Sequence, residues 1–417
     1  MFDLVIRNTS EIVTCDGAGT PEEVLKPIPK GAIGIKSGRI DWLGPESELP
    51  GEADDVIDAR GSFVGPGLVD PHTHLVFGGD RSAEFEQRCR GATYLEIANA
   101  GGGIKRTVEA TRAATEKELA YGAVPRLVNL LAHGVTTVEV KSGYGLEVNA
   151  ELKMLRAIKA LEGVQPVTLV PTLLALHTRG EGWLEAVLDD LLPRAAEAKL
   201  AVFCDAFVEK SAFTVDEARR VLTAAKELGL QPRLHVDQLT PGGGAELAAE
   251  LGAATADHLE HVSPEGIAAL ARSGTVAVLA PTSTLFLRER KYAPGRALAD
   301  AGVPVALCTN CNPGSSMTEN VSLVMGLACL ECGLTPAEAY LGFTRNAARA
   351  LKLPDAGRLF VGGPADVVVY QCPSYRTLPY HLGQSEVRQV LKGGLLCWEL
   401  GRVVRKSSLR GVADGPR

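Results

Sequence analysis

The stretch Gly67-Leu-Val-Asp70-Pro-His72-Thr-His74 closes an apolar run, Phe63–Val69, that reads as a β-strand. Residues at i and i+2 of an extended chain point to the same face, so both imidazoles can reach one ion. Pro71, with Gly65 and Gly67 just upstream, shapes the strand end. Downstream, seven more short apolar runs follow: Val135–Val140, Pro166–Val170, Ala201–Ala206, Arg233–Val236, Thr255–His258, Val276–Leu279 and Val303–Leu307. Helical stretches fall between them; Glu217–Leu228, for example, places its apolar residues at helical spacing. Eight β/α alternations predict a closed parallel (β/α)8 barrel, whose functional groups sit at the carboxyl ends of the strands. A doubly wound open sheet is the alternative. The glycine-rich dinucleotide fingerprint that usually marks it is absent after the first strand.

Outward from the barrel, both chain ends are rich in strands. Leu4-Val-Ile, Ala32-Ile-Gly-Ile and Arg39-Ile-Asp-Trp-Leu lie near the start, and Ala365-Asp-Val-Val-Val-Tyr, Val387-Arg-Gln-Val-Leu and Glu399-Leu-Gly-Arg-Val-Val near the end. Neither end has enough strands for a stable sheet of its own. The expectation is a composite β-sandwich from residues 1–65 and 357–417, with the barrel, 66–356, inserted in it and a loose tail from about Lys406. The 417 residues suit a barrel of roughly 250–300 residues plus such a unit.

A net charge of −7 with no basic block argues against nucleic acid as partner. No apolar run reaches the ~18 residues of a membrane span. The start, Met1-Phe-Asp-Leu-Val-Ile-Arg, lacks a signal-peptide pattern. Nine scattered cysteines do not read as a disulfide framework, which points to a reducing cytoplasm.

Four of the eight histidines stand at strand ends: His72, His74, His235 in Leu234-His-Val-Asp-Gln238, and His258 in Ala256-Asp-His. A fifth, His177, lies just past the third strand. One such histidine is often structural; the set is a metal site. Cys308-x-x-Cys311 and Cys329-x-x-Cys332, 17 residues apart, match a four-cysteine zinc spacing. Cys308 closes a strand, however, and Cys329 and Cys332 sit in an apolar run that reads as helix, where cysteine is a small packed residue.

The longer motifs are more specific. They are Asp70-Pro-His-Thr-His-Leu-Val-Phe-Gly-Gly-Asp-Arg81, Lys141-Ser-Gly-Tyr-Gly-Leu146, the segment around His177, Ala256-Asp-His-Leu and Asn312-Pro-Gly-Ser-Ser316. In this order, over nearly the whole chain, they resemble the imidazolonepropionase family of the amidohydrolase superfamily. The resemblance implies metal ligation by His72, His74 and His235, and substrate contacts from Arg81, Tyr144, His177, Gln238, Asn312, Gly314 and Ser315. It implies a catalytic part for His258 near the reacting carbonyl and for Gln238 on the ring. One Zn or Fe ion per chain, imidazolone propionate as substrate and a homodimer follow from the same likeness. A guanidinium at Arg81 suits the substrate carboxylate, which it can grip with two parallel hydrogen bonds.

One position departs. The eighth strand of this superfamily ends in an aspartate that touches the metal and takes a proton from water. Here Ala306-Leu-Cys-Thr-Asn310 puts an amide in that catalytic and ligand position. An amide oxygen can coordinate, but it carries no charge and is no base near neutral pH. Three explanations stay open: a variant made to trap substrate, a different base (Asp237, His258 or Glu260), or binding without hydrolysis. A two-metal site is not expected, because no bridging lysine ends the fourth strand; Lys210 lies several residues beyond it.

Overall fold

The computed structural model describes residues 1–92, 96, 101–400 and 402–403. Five strands precede the barrel: β1 (Phe2–Val13), β2 (Pro27–Pro29), β3 (Gly31–Lys36), β4 (Arg39–Pro45) and β5 (Ala53–Pro66). The barrel holds β6 (Leu68–Asp70), β7 (Val135–Lys141), β8 (Thr168–Leu176), β9 (Phe203–Val208), β10 (Gln231–Val236), β11 (Thr255–His258), β12 (Val276–Leu279) and β13 (Val305–Leu307). After it come β14 (Val367–Tyr370), β15 (Val387–Lys392), β16 (Leu395–Glu399) and β17 (Arg402–Val403).

The expected unit from both chain ends takes the form of one mixed nine-stranded sheet. Its joint is β5, which runs parallel to β1 on one side and antiparallel to β14 on the other. Ile6, Ile12, Ile33, Ile35, Val64 and Val367 form its apolar core. Glu399-Leu-Gly-Arg-Val-Val, expected as one strand, holds a turn instead. Glu399 ends β16 and pairs back with Arg402 of β17, because an antiparallel neighbour needs a reversal between them. Gly401 and the tail beyond Val403, including the expected loose end from Lys406, lie outside the described residues.

Strands β6 to β13 pair in parallel, each with the next, in chain order. Helices between them carry ordinary start signals. Helix Val215–Glu227 begins two residues before the expected Glu217, since Thr214 accepts from the Glu217 N–H and Glu217 reciprocates, satisfying two otherwise unpaired donors. The first strand was expected over Phe63–Val69, but the chain changes sheets inside that run. Phe63–Pro66 stays with the mixed sheet, and only Leu68–Asp70 joins the barrel. Glycines make the handover possible: a Cβ on Gly65 would lie 2.1 Å from Tyr340 Oη, and one on Gly67 would lie 2.2 Å from Thr136 Oγ1. Among the described residues, no helix is long and apolar enough to cross a membrane.

Candidate metal centre

Strand β6 ends at Asp70, so His72 and His74 lie just past it, yet the segment keeps strand-like bonding. His72 O accepts from the Asn310 N–H (3.1 Å) and His74 N–H donates to Cys311 O (3.0 Å), both after β13. Thr73 faces the other way: its O accepts from the Lys141 N–H (2.9 Å), and its own N–H donates to Glu139 Oε2 (3.1 Å) on β7. Alternating partners keep His72 and His74 on one face and bridge the eighth strand to the first. Asp70 adds a latch, accepting from Thr309 Oγ1 at 2.5 Å. Burial pushes the Asp70 carboxyl up to about 7, against these hydrogen bonds.

The imidazoles converge above this seam. Ring centroids are 4.5 Å apart for His72 and His235, 5.6 Å for His72 and His258, and 5.4 Å for His235 and His258. Ligand atoms of these three buried histidines lie within 4.8 Å of one another, close enough for one ion. His74 stands beside the trio, 5.3 Å from His72 and 5.6 Å from His235, with Tyr144 and His177 on its other flank at 5.9 and 5.8 Å.

Carboxylates fix the rings from behind. His72 Nδ1 meets Asp257 Oδ2 at 2.6 Å and His235 Nδ1 meets Asp205 Oδ1 at 3.1 Å. That leaves His72 Nε2 and His235 Nε2 buried with no hydrogen-bond partner, as are His74 Nδ1 and His258 Nδ1. Unpaired buried nitrogens are costly in a dry protein and apt for a cation. The donor set therefore fits a borderline-soft divalent ion. Burial, then the charge of Lys141, holds His72 well below its ordinary pKa; burial and His72 do the same for His74, so both stay neutral with lone pairs available. Burial would raise Asp205, but the charges of His235 and Lys141 overcome it and keep the carboxyl far below its usual range. His258 is aimed by an uncommon backbone, φ +84° followed by Leu259 at +70°.

The other expected residues lie on loops that follow the barrel strands. The Lys141–Leu146 loop is held by buried Glu151, whose carboxylate accepts from the N–H groups of Gly143, Gly145 and Leu146 (2.7, 2.7 and 2.8 Å). Tyr144 is thereby presented, and Gly143 O takes His177 Nδ1 at 2.8 Å. Asn312 Oδ1 accepts from the N–H groups of Gly314 and Ser315, both at 2.8 Å, folding that loop into a tight turn. Gly314 lets the guanidinium come close: a Cβ there would lie 2.6 Å from Arg81 Nη1 and push it aside. Arg81 Nε is tied to Glu84 at 2.9 Å. With Phe77, Phe85, Arg126, Phe286 and Met317, Arg81 lines a cavity of about 240 Å³. Gln238 lines another, about 260 Å³, with Glu260, His261 and Thr284.

Asn310 is buried and donates from Nδ2 to Ser283 Oγ at 3.2 Å, while its Oδ1 accepts from Asn312 Nδ2 at 3.2 Å. Of the acids weighed as substitutes, Asp237 is committed elsewhere: it accepts from the N–H groups of Gly242 and Ala245 (2.8 and 3.0 Å), at the start of helix Gly244–Leu251. Glu260 Oε1 accepts from Thr284 Oγ1 at 3.1 Å and lies 3.7 Å from His258 Nδ1, and its Oε2 is buried with no partner. Among the described residues the four cysteines of the zinc-like spacing form no ligand cluster; Cys308 Sγ bonds Leu279 O and Cys311 Sγ bonds Glu319.

An amidohydrolase family model matches residues 63–397. An imidazolonepropionase of Myxococcus xanthus is 58% identical, over 99% of this chain and 100% of its own length. One from Anaeromyxobacter dehalogenans is 49% identical, over 99% and 98%, and one from Geobacillus kaustophilus is 44% identical, over 97% and 100%. This chain belongs to the imidazolonepropionase family. Its fold extends to more distant solved structures. A 5-methylcytosine deaminase from Klebsiella pneumoniae, solved with 5-fluorocytosine, superposes with a TM-score of 0.75 at 19% identity, covering 99% of both chains. An adenosine deaminase from Xanthomonas campestris with bound Zn gives 0.71 at 19%, covering 98% of this chain and 96% of that one.

A metal-binding cluster of histidines in an imidazolonepropionase-family chain marks a hydrolase that uses a metal cofactor. What the sequence reading missed is the charged layer beneath it. Glu139, Lys141, Asp205, Arg233 and Asp257 are all buried inside barrel strands. Glu139 and Asp205 each interrupt an apolar run, and that interruption was the available signal.

Proposed function

We propose that this chain opens the ring of 4-imidazolone-5-propanoate by hydrolysis, giving N-formimino-L-glutamate, with one Zn or Fe ion per chain. Water oxygen bonds to the ring carbonyl carbon, the carbonyl–nitrogen bond breaks, and the nitrogen leaves with a proton. The observation that carries this reading is the set of unpartnered imidazole nitrogens converging at the barrel mouth, in a chain 58% identical to an imidazolonepropionase. His72, His74 and His235 would hold the ion. When bound, it supplies Lewis acidity that lowers the pKa of water and offsets charge growing on oxygen. The close grouping of His258 with His72 and His235 favours a second assignment, in which His258 completes the donor set that Asn310 leaves without a charge.

In the first assignment His258 donates to the developing oxyanion and Gln238 holds the ring through its amide. Arg81 grips the propionate, while Tyr144 and His177 orient the ring, and Asn312 holds Gly314 and Ser315 in place against it. Glu260, whose Oε2 is uncommitted while Asp237 is not, is only a partial substitute for the missing eighth-strand base, so most of the general-base contribution is still to be regained at position 310. The same reading includes a homodimer in the cytoplasm, with no nucleic-acid or membrane partner.

The test is a ring-opening assay on protein loaded with Zn or Fe, with Arg81→Ala alongside. Losing a charged hydrogen-bonding partner costs about 1.5–3 kcal/mol, so KM should rise roughly 10- to 150-fold with a smaller change in kcat. Unchanged affinity in Arg81→Ala would redirect the assignment to a cyclic amidohydrolase or deaminase whose substrate has no carboxylate.

A further inference from the structure

Lys141 ends β7 with its side chain fully out of solvent. Its Nζ lies 2.8 Å from Glu139 Oε1, 2.7 Å from Asp205 Oδ2 and 3.9 Å from Asp257 Oδ2. Each of these carboxylates holds part of the histidine set through another contact. Asp205 Oδ1 meets His235 Nδ1 at 3.1 Å, Asp257 Oδ2 meets His72 Nδ1 at 2.6 Å, and Glu139 Oε2 accepts from the N–H of Thr73, the residue between His72 and His74. We propose that Lys141 is a positioning residue for the metal: without touching the ion, its ammonium sets the carboxylates that aim His72, His74 and His235. This rests on the metal-binding reading above.

Two observations separate this from a merely structural ion cluster. A buried ion pair is seldom more stable than an apolar replacement of similar volume, so stability alone gives little reason for five charged groups here. The layer is also unbalanced. Three carboxylates (Glu139, Asp205, Asp257) face two cations (Lys141, Arg233), and the excess negative charge lies behind imidazoles whose free nitrogens point away from it. That arrangement suits a dication on the far side of the rings and raises the basicity of the ligands.

The experiment measures Zn affinity of the full chain by chelator competition, and the ligand-field spectrum of the Co(II) form. The variants are Lys141→Met, Asp205→Asn and the double. Removing an outer partner of this kind typically lowers metal affinity about 10- to 100-fold, and that loss is expected for Lys141→Met together with a shifted Co(II) spectrum. Because Lys141 works in part through Asp205, the double should lose less than the product of the two single losses. Wild-type affinity and spectrum in Lys141→Met, or losses in the double that multiply, would overturn the proposal. If Lys141→Met does not fold, Lys141→Met/Glu139→Gln removes a carboxylate with the ammonium, keeps an acceptor for the Thr73 N–H, and should show the same loss; full affinity there overturns it equally. If the unaltered chain binds neither Zn nor Fe, the metal reading itself has failed, a result distinct from tight binding in the variant.

Discussion

Replacing Asn310 by aspartate should raise ring-opening activity by two to four orders of magnitude, and the structure shows why little else should change. Asn310 sits in the left-handed region at φ +47°, which aspartate tolerates as asparagine does. One carboxylate oxygen inherits the bond from Asn312 Nδ2. The other takes the place of Nδ2, where the Ser283 hydroxyl can rotate from acceptor to donor. No hydrogen bond is lost, so the difference is charge alone. A positioned general base contributes about 10²–10⁴-fold, which is about 3–5 kcal/mol of barrier at ~1.4 kcal/mol per decade. The same charge acts oppositely without metal, because a buried carboxylate lacking a counter-charge destabilises the fold. The Asn310→Asp protein should therefore turn over faster when loaded with Zn or Fe, bind the ion more tightly, and unfold at a lower temperature as apoprotein. Steady-state kinetics, chelator competition and calorimetry on both forms check the three. A kcat within threefold of the unaltered chain would mean that proton transfer does not pass through this position.

Two further outcomes follow from the same geometry. Gly314→Ala puts a methyl 2.6 Å from Arg81 Nη1, so the guanidinium must swing and KM should rise several-fold with kcat little altered; an unchanged KM would separate Arg81 from the substrate. Apoprotein stability should fall as the pH drops from about 6.5 toward 5. Burial holds His133 and His177 down at about 4, and His72, His74 and His235 are also lowered, so in that window the unfolded chain takes up protons that the fold refuses. Asp70, raised to about 7, pulls the other way, and Glu151, Asp237 and Glu319, also raised by burial, add to it, four acids against five imidazoles. A melting temperature that holds or rises across that range would contradict the sign.

The barrel was legible because its strands are short apolar runs separated by helical stretches, and the site because histidines stood at or just past their ends. Two of the places where the sequence misled share one physical cause: a partner that lies far away along the chain. Phe63–Val69 looks like one strand because all of it is apolar, but Val64 pairs with Val369 of the mixed sheet while Val69 pairs with Thr137 of the barrel. Nothing local in those residues encodes the change of neighbour except the glycines at 65 and 67. The charged layer was hidden for the same reason. Asp205 alone is an odd acid in an apolar strand, and only the folded barrel brings it to Lys141 on β7, where Glu139 already shares a face with the lysine.

That closure also explains why the departure at Asn310 is tolerated by the fold. The seam between first and eighth strands is held by backbone bonds from Asn310 N–H and to Cys311 O, and by Thr309 on Asp70, none of which depends on the residue 310 side chain. The side chain at 310 is thus free to be set by chemistry rather than by architecture. An aspartate there would add charge to a frame already built, whereas loss of Asp70 or Thr309 would open the frame itself.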